Sequence, residues 1–421
     1  VVAVRKAEEE AKPAAEAVLA EGEVAEGAEG AEGEAAEGEA AEGAEGAAAK
    51  GAAKGGARGE AAEGGEKNLE RLLRSVARED RGPEEIIVVD DHSEDGTAAI
   101  AEEEGCVLLR SENLPEGWAG KPWACWQGAK KAKGTLLVFL DADTFLEPDG
   151  LSGILHEYWE KKGLLSVQPF HQMKKAYEKL SAFFNIVAMG GMRAFTLLGN
   201  KLPPLGAFGP CMVCSRKDYF AVGGHSHEKV RGEILESLAL GKVFLRANRS
   251  VHCYGGKGSI SFRMYPAGLA SLIEGFSKGF GTGANAMSLG SLLMMVCWIF
   301  GCCSVSRHLI QALLLGDMTE LYGWALLDGL YAAQIYWMLQ RIGNFGFLTA
   351  LLFQVPLIFF VTVFGLSLLR IFLMKRGTEK NMPIDLLIGS YCIMIRFSTA
   401  CRSYRYSRGC RRYGRQVPAL S

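Results

Sequence analysis

The sequence predicts an α/β fold: a mixed, mostly parallel sheet, followed by transmembrane helices. Three observations carry this reading. Between residues 66 and 140, apolar strands alternate with helices, which is the βαβ pattern of a parallel sheet. Two of those strands end in acids, Asp90-Asp91 after strand 86–89 and Asp141-Ala142-Asp143 after strand 135–140. Finally, apolar spans at 287–306, 321–340 and 346–372 each approach or exceed the ~20 residues needed to cross a bilayer.

The elements follow in order. Residues 1–65 are Ala/Gly/Glu repeats without an aromatic side chain, and the expectation is disorder. They hold 16 acidic and 6 basic side chains, so −10 of a chain whose net charge is −2, which leaves +8 for the remainder. A basic body beside apolar helices suits anionic lipid headgroups and acidic donors. Lys67 to Val76 reads as an amphipathic helix. Strand 86–89, helix 95–104, strand 106–109, helix 122–132 and strand 135–140 come next. A later strand falls within 205–216 and a helix at 231–241.

Residues 66–261 thus form a catalytic domain. Residues 262–285 mix charges with Phe, Tyr, Leu and Ile, as an interfacial amphipathic segment does. Three transmembrane helices at 286–375 and a basic tail at 376–421 complete the chain. A cytoplasmic catalytic domain with three crossings puts that Arg-rich tail outside, against the positive-inside rule, so either a further span exists or 384–395 re-enters the membrane. No signal peptide is expected. The eleven cysteines show no disulfide spacing, and reduced thiols facing the cytosol are the simpler reading.

The acids carry the chemistry. Ligands in open α/β sheets sit outside the carboxyl ends of strands. A diphosphate leaving group needs a hard cation on carboxylate oxygens, Mg²⁺ or Mn²⁺. Asp141 and Asp143 suit that metal, with Asp141 also able to reach a ribose. Asp90 and Asp91 suit hydrogen bonds from a base and ribose, and Asp95-Gly96-Thr97 suits a helix cap. Lys121 contacts phosphate or caps a helix. Cys211 and Cys214 with His225 and His227 are the right types for zinc, but the His-x-His spacing is unlike the common one.

Here the chain resembles a known family. Val88-Val89-Asp90-Asp91-His92-Ser93-Glu94-Asp95-Gly96-Thr97, Gly120-Lys121-Pro122-Trp123-Ala124 and Phe139-Leu140-Asp141-Ala142-Asp143-Thr144 look like the nucleotide-sugar half of family 2 glycosyltransferases, which have the GT-A fold. Gly206-Ala207-Phe208-Gly209-Pro210-Cys211-Met212, Val222-Gly223-Gly224-His225, Val230-Arg231-Gly232-Glu233 and Phe262-Arg263-Met264-Tyr265-Pro266 are similar to the membrane glycosyltransferases of bacterial carotenoid pathways. The resemblance covers about 66–375. It implies an inverting, non-processive enzyme of the cell membrane, multi-pass, with UDP-glucose as donor. The lipid-soluble acceptor is a carotenoid acid such as 4,4'-diaponeurosporenoate, with a polyprenyl phosphate or hopanoid as the alternative. Nucleic acid is not an expected partner.

The chain departs from the pattern in three places. The family's first strand, ending in Pro-x-x-Asn-Glu, is missing, and only Gly65-Glu66-Lys67-Asn68 matches its end. That leaves open a homologue whose catalysis is impaired. The acceptor-side Glu-Asp pair reads Glu236-Ser237. In the Gln-x-x-Arg-Trp motif of processive synthases only Arg263 matches, a candidate donor-binding residue. A hydroxyl acceptor needs a general base, whereas a carboxylic acid is already ionised at pH 7. Glu233 and Glu236 stand as candidate base or acceptor-orienting residues, or as part of a solvated helix face.

Overall fold

The computed structural model describes residues 2–5, 56–80, 82–193, 203–286, 288–376 and 393–397. The expected disorder of the N-terminal repeats falls mostly outside them, as does most of the basic tail. In chain order the elements begin β1 (Val2–Arg5), α1 (Gly56–Ala77), β2 (Ile86–Asp91), α2 (Thr97–Glu103), β3 (Val107–Arg110), α3 (Gly120–Lys131), β4 (Leu136–Leu140) and β5 (Thr144–Leu146). Next come α4 (Gly150–Lys161), β6 (Leu164–Gln168), β7 (Phe170–His171), a 3-10 turn at Ala176–Ser181, α5 (Ala182–Gly191), β8 (Cys211–Ser215), α6 (Arg216–Ala221), α7 (Glu228–Arg231), α8 (Glu236–Arg246), β9 (Val251–Gly255) and β10 (Ile260–Phe262). The helical region holds α9 (Leu269–Ala286), α10 (Leu289–Leu315), α11 (Met318–Ile342), α12 (Phe347–Leu351) and α13 (Gln354–Arg376), followed by β11 (Ile393–Phe397).

The large sheet is mixed, in the order β1-β2-β11-β4-β8-β6-β9, with β3 on β2, and it is not the mostly parallel sheet expected, because β11 and β8 each run antiparallel to both neighbours. Its centre is apolar on both faces because helices cover both. Val88, Val138 and Leu140 pack on Leu69, Leu72 and Val76 of α1, while Ile87, Leu137 and Phe139 pack on α3 and α8 on the other side. A smaller sheet, β5-β10-β7, follows directly on the Asp141–Asp143 turn.

One sequence expectation needs correction. The place of the first strand is filled, by two segments. β11 lies antiparallel between β2 and β4, pairing Met394 with Ile87 and Phe139. β1 runs parallel to the other half of β2, from Val2 opposite Val88 to Arg5 opposite Asp91. β2 and β4 are buried strands, and unpaired edges there would strand backbone donors and acceptors away from water. Strands supplied from the two far ends of the chain form no contiguous sequence motif. Also, α1 begins at Gly56, ahead of the boundary expected at residue 65.

Among the described residues one helix, α10, is long and apolar enough to cross a membrane by length and composition, and α13 contributes a shorter apolar run, Gln354–Leu368. α11 has the length but carries Glu320, Asp328 and Arg341.

Candidate active site

Two loops and a helix end converge at the carboxyl end of β4. The Asp141 backbone N–H donates to Pro210 O (2.9 Å), and Thr144 Oγ1 returns to Asp141 O (2.7 Å), which fixes the Asp141–Asp143 turn. Lys121, at the start of α3, lays its Nζ 2.9 Å from Asp141 Oδ1, 3.2 Å from Oδ2 and 3.1 Å from Glu236 Oε1. Both carboxylates are buried, and the lysine side chain between them is 13% exposed. Gly209 makes room for them: a Cβ there would sit 3.1 Å from Ser237 Oγ and 3.2 Å from Lys121 Nζ.

Burial dominates the electrostatics. It raises the Asp141 carboxyl to about 6, with Lys121 opposing and Glu236 adding to the rise. Burial, with Asp141 adding, raises Asp143 to about 7. Asp141 Oδ1 and Glu236 Oε1 lie against Lys121 Nζ, whereas the buried Asp143 Oδ1 has no hydrogen-bond partner. A buried carboxylate oxygen left open two residues from Asp141 fits a hard divalent cation. Among the described residues no cluster of three or more His, Cys, Asp or Glu forms a complete metal cage. Asp141 and Asp143 would therefore share the ion with a ligand's oxygens and water. The buried Cys211 and Cys214 likewise form no zinc cluster.

The other candidates lie at different distances from this centre. Asp90, the penultimate residue of β2, is buried, its Oδ1 accepting from Ser93 N–H (3.0 Å), and Asp91, which ends the strand, is more exposed. The Glu66 carboxylate accepts from Gly96 N–H, so the residue that matches the family's missing motif does clasp the Asp95-Gly96-Thr97 loop. Asp95 Oδ1 accepts from the N–H of Thr97 (3.1 Å), the first residue of α2, although the N-cap itself is Gly96 and carries no side-chain cap. Glu236 joins the site, whereas Glu233 is exposed on the turn after α7. Arg263 is taken up by Glu178, whose carboxylate also accepts from the Lys174 and Lys175 N–H groups. No contact brings Arg263 to Asp141 or Lys121.

Tyr265 had no assigned role in the sequence reading. Burial, and secondly the Asp143 carboxylate, raise its phenol to about 12. Its backbone is left-handed (φ +53°), a conformation that costs a non-glycine residue energy and clusters at functional sites. Only the unusual Tyr-Pro after Arg263 hints at it in the sequence.

Comparison with known proteins gives three results. The model of "Glycosyl transferase family 2" matches residues 61–216. A Staphylococcus aureus (strain MRSA252) protein named 4,4'-diaponeurosporenoate glycosyltransferase is 34% identical over 304 residues, 71% of this chain and 80% of that protein. Among solved structures, a Pyrobaculum calidifontis mannosyltransferase in complex with GDP-Man and Mn²⁺ is 14% identical with a TM-score of 0.41, covering 69% of this chain and 83% of that one.

Proposed function

The chain belongs to glycosyl transferase family 2 and is a transferase; from that premise we propose that it moves a hexose from UDP-glucose, with inversion, onto a lipid-soluble carboxylic acid of the carotenoid kind at a membrane. The observation that carries this reading is the buried Lys121–Asp141–Glu236 group beside Asp143 and Ser237.

A divalent cation, Mg²⁺ or Mn²⁺, would neutralise the leaving diphosphate when bound. The remaining work falls to the chain. Asp141 and Asp143 present the oxygens for the ion. Lys121 opposes the burial that would otherwise protonate Asp141. Asp90 and Asp91, one strand away, receive the nucleoside. Glu236 is held by Lys121, so it orients the acceptor side and keeps the lysine in place. Ser237 next to it cannot take a proton from an alcohol near pH 7. An acceptor carboxylate needs no such base, because its ordinary pKa is about 4. The product is then a glycosyl ester. The name of the S. aureus relative supports the acceptor class.

A membrane setting is supported by α10 and by large apolar side chains left outside, among them Leu314 (81% exposed) and Phe300 (73%). Free thiols throughout the described residues support a cytoplasmic catalytic domain.

The test is transfer from labelled UDP-glucose by purified membranes, offered a carotenoid acid and the matching alcohol, with products read by mass spectrometry. A base-labile ester from the acid and no product from the alcohol is expected. Efficient transfer to the alcohol would sink the carboxylate argument. Labelling only from another nucleotide sugar would replace the donor.

A further inference from the structure

The membrane reading leaves open how many times the chain crosses and on which side its tail lies. The packing of the helices answers this. α10 and α11 form an antiparallel hairpin whose register is fixed at three levels. Trp298 Nε1 donates to Gln334 Oε1 (3.0 Å), Gly301 lies against the Tyr331 hydroxyl, and the His308 ring stacks on Trp324 with centroids 4.5 Å apart. The same register sets Leu289, the first residue of α10, level with Gly343, just past the end of α11.

Gly343 is fastened to the catalytic domain. It bridges His171 of β7. The Asn344 N–H donates to His171 O (3.1 Å), its Oδ1 accepts from Met173 N–H, and its Nδ2 donates to Met173 O (3.2 Å). Both ends of the hairpin therefore sit at the catalytic domain. Its turn at Gly316–Asp317 is the far point, about 40 Å away at 1.5 Å per residue.

α12 and α13 repeat the excursion at smaller depth. Ten residues after Asn344, Gln354 Nε2 donates to Asp328 Oδ1 (2.8 Å). Asp328 lies about 22 Å along α11 from Gly343 at the helical rise. α13 then runs back. Phe360 meets Phe183 and Phe184 of α5, Ser367 Oγ donates to Ser277 O of α9 (2.8 Å), and the helix packs on the 3-10 turn at Ala176–Ser181. After α13, β11 lies inside the catalytic sheet.

Charge marks the level of the headgroups. Lys174, Lys175 and Lys257 are exposed around Asn344, and the Arg341 guanidinium stacks 3.9 Å from the Trp337 ring one turn into α11. Cations over an aromatic belt match the anionic leaflet of a bilayer.

We infer that α10–α13 enter and leave the bilayer through one face only, so that the catalytic site, the Asn344 clasp and β11 share a side, with Lys174, Lys175, Lys257 and Arg341 against the anionic headgroups of that leaflet. The inference rests on the membrane reading above. It replaces an odd number of crossings with an even one, and it puts the Arg-rich tail where the positive-inside rule wants it.

The experiment uses the full chain in sealed membrane vesicles of both orientations, with a site for a membrane-impermeant protease placed within residues 6–55, between Gly316 and Asp317, or after Ser421. Residues 6–55 run between β1 and α1, both in the catalytic domain, so that site reports its side. The first and last sites should be cut from the same face, and the Gly316–Asp317 site never from that face. Cleavage of the last site only from the opposite face would overturn the inference while leaving the protein a membrane protein, as would cleavage at Gly316–Asp317 from the catalytic face. If the hairpin insertion prevents folding, the two terminal sites alone decide. Release by alkaline carbonate as a soluble oligomer would overturn the membrane reading itself, with further copies of the chain covering the helices.

Discussion

The catalytic sheet and the helical region are built from similar apolar side chains put to opposite use. In β4 all five residues face protein, and the polar groups gather just beyond the strand's end, where Asp141 and Asp143 meet Lys121. In α10, α11 and α13 many apolar side chains, Leu314, Leu326 and Ile358 among them, face outward, and a few polar ones join one element to the next. Gln334 holds Trp298, Asp328 holds Gln354, and Ser367 holds Ser277 O. Isolated polar residues along a strand's end make chemistry, while isolated polar residues along an outward-apolar helix make joints. The two designs meet at His171 and Asn344.

The largest expected effect breaks the catalytic side alone. Asp143→Ala should reduce glucose transfer at least a thousandfold, roughly 4 kcal/mol of barrier, while leaving membrane insertion unchanged. Labelled transfer by purified membranes measures it, and activity near wild type would remove Asp143 from the site. Lys121→Met comes next. It leaves the Asp141 and Glu236 carboxylates buried without their cation, at a cost of about 3–5 kcal/mol in denaturant titration of the detergent-solubilised protein. Lys121→Arg should recover part of that loss. No change in stability on Lys121→Met would show that the three groups do not depend on one another.

A third prediction sits at the joint. Burial lowers the pKa of His171 to about 3, and the same holds for His225 behind the active site, with Lys121 adding there. Each is neutral when folded and takes up a proton on unfolding below its ordinary value near 6.5. The two histidines' contribution is therefore full above about pH 6.5 and falls as the pH drops, by on the order of 2 kcal/mol per histidine at pH 5, while the raised Asp141 and Asp143 carboxyls act in the opposite sense. Unfolding followed from pH 8 to 5 should show His171→Phe losing less stability than the wild type, by about 2 kcal/mol. An unchanged slope would mean that His171 is protonated in the folded protein.

The smallest effects sharpen the contrast with two glycines. At Gly343 a Cβ would come within 2.8 Å of His171 O, so Gly343→Ala should cost about 1–3 kcal/mol. Gly329 on α11 has open space, and Gly329→Ala should gain up to about 1 kcal/mol. Melting temperatures in detergent compare the pair, and equal effects would show that the clasp yields freely.

Much of the catalytic domain was legible in the sequence, for a local reason. β2 and β4 are short apolar runs punctuated by acids, and α3 opens on Gly-Lys-Pro, so pattern and chemistry coincide within a few residues. Glu236 was found through its motif, but its partnership with Lys121 depends on the third dimension. Arg263 was matched to a motif in one dimension and is committed to Glu178 in three. The filling of the first-strand gap by β1 and β11 was not legible, because register between segments so far apart leaves no local trace. The helices were placed along the chain close to where they form, though among the described residues α10 alone has the length and composition to cross a membrane, and their mutual register depends on contacts such as Trp298–Gln334 that spacing does not encode.

The position of β11 bears on how the protein is made. β2 and β4 leave the ribosome early, but the strand that joins them is about three hundred residues downstream of β2. At roughly 5–20 residues per second, the gap between two sticky apolar edges stays open for tens of seconds while the helical region is synthesised. Biogenesis therefore has a fixed order: every helix is made before the catalytic sheet closes, and a chaperone or the earlier-made helices must guard those edges until the last strand arrives.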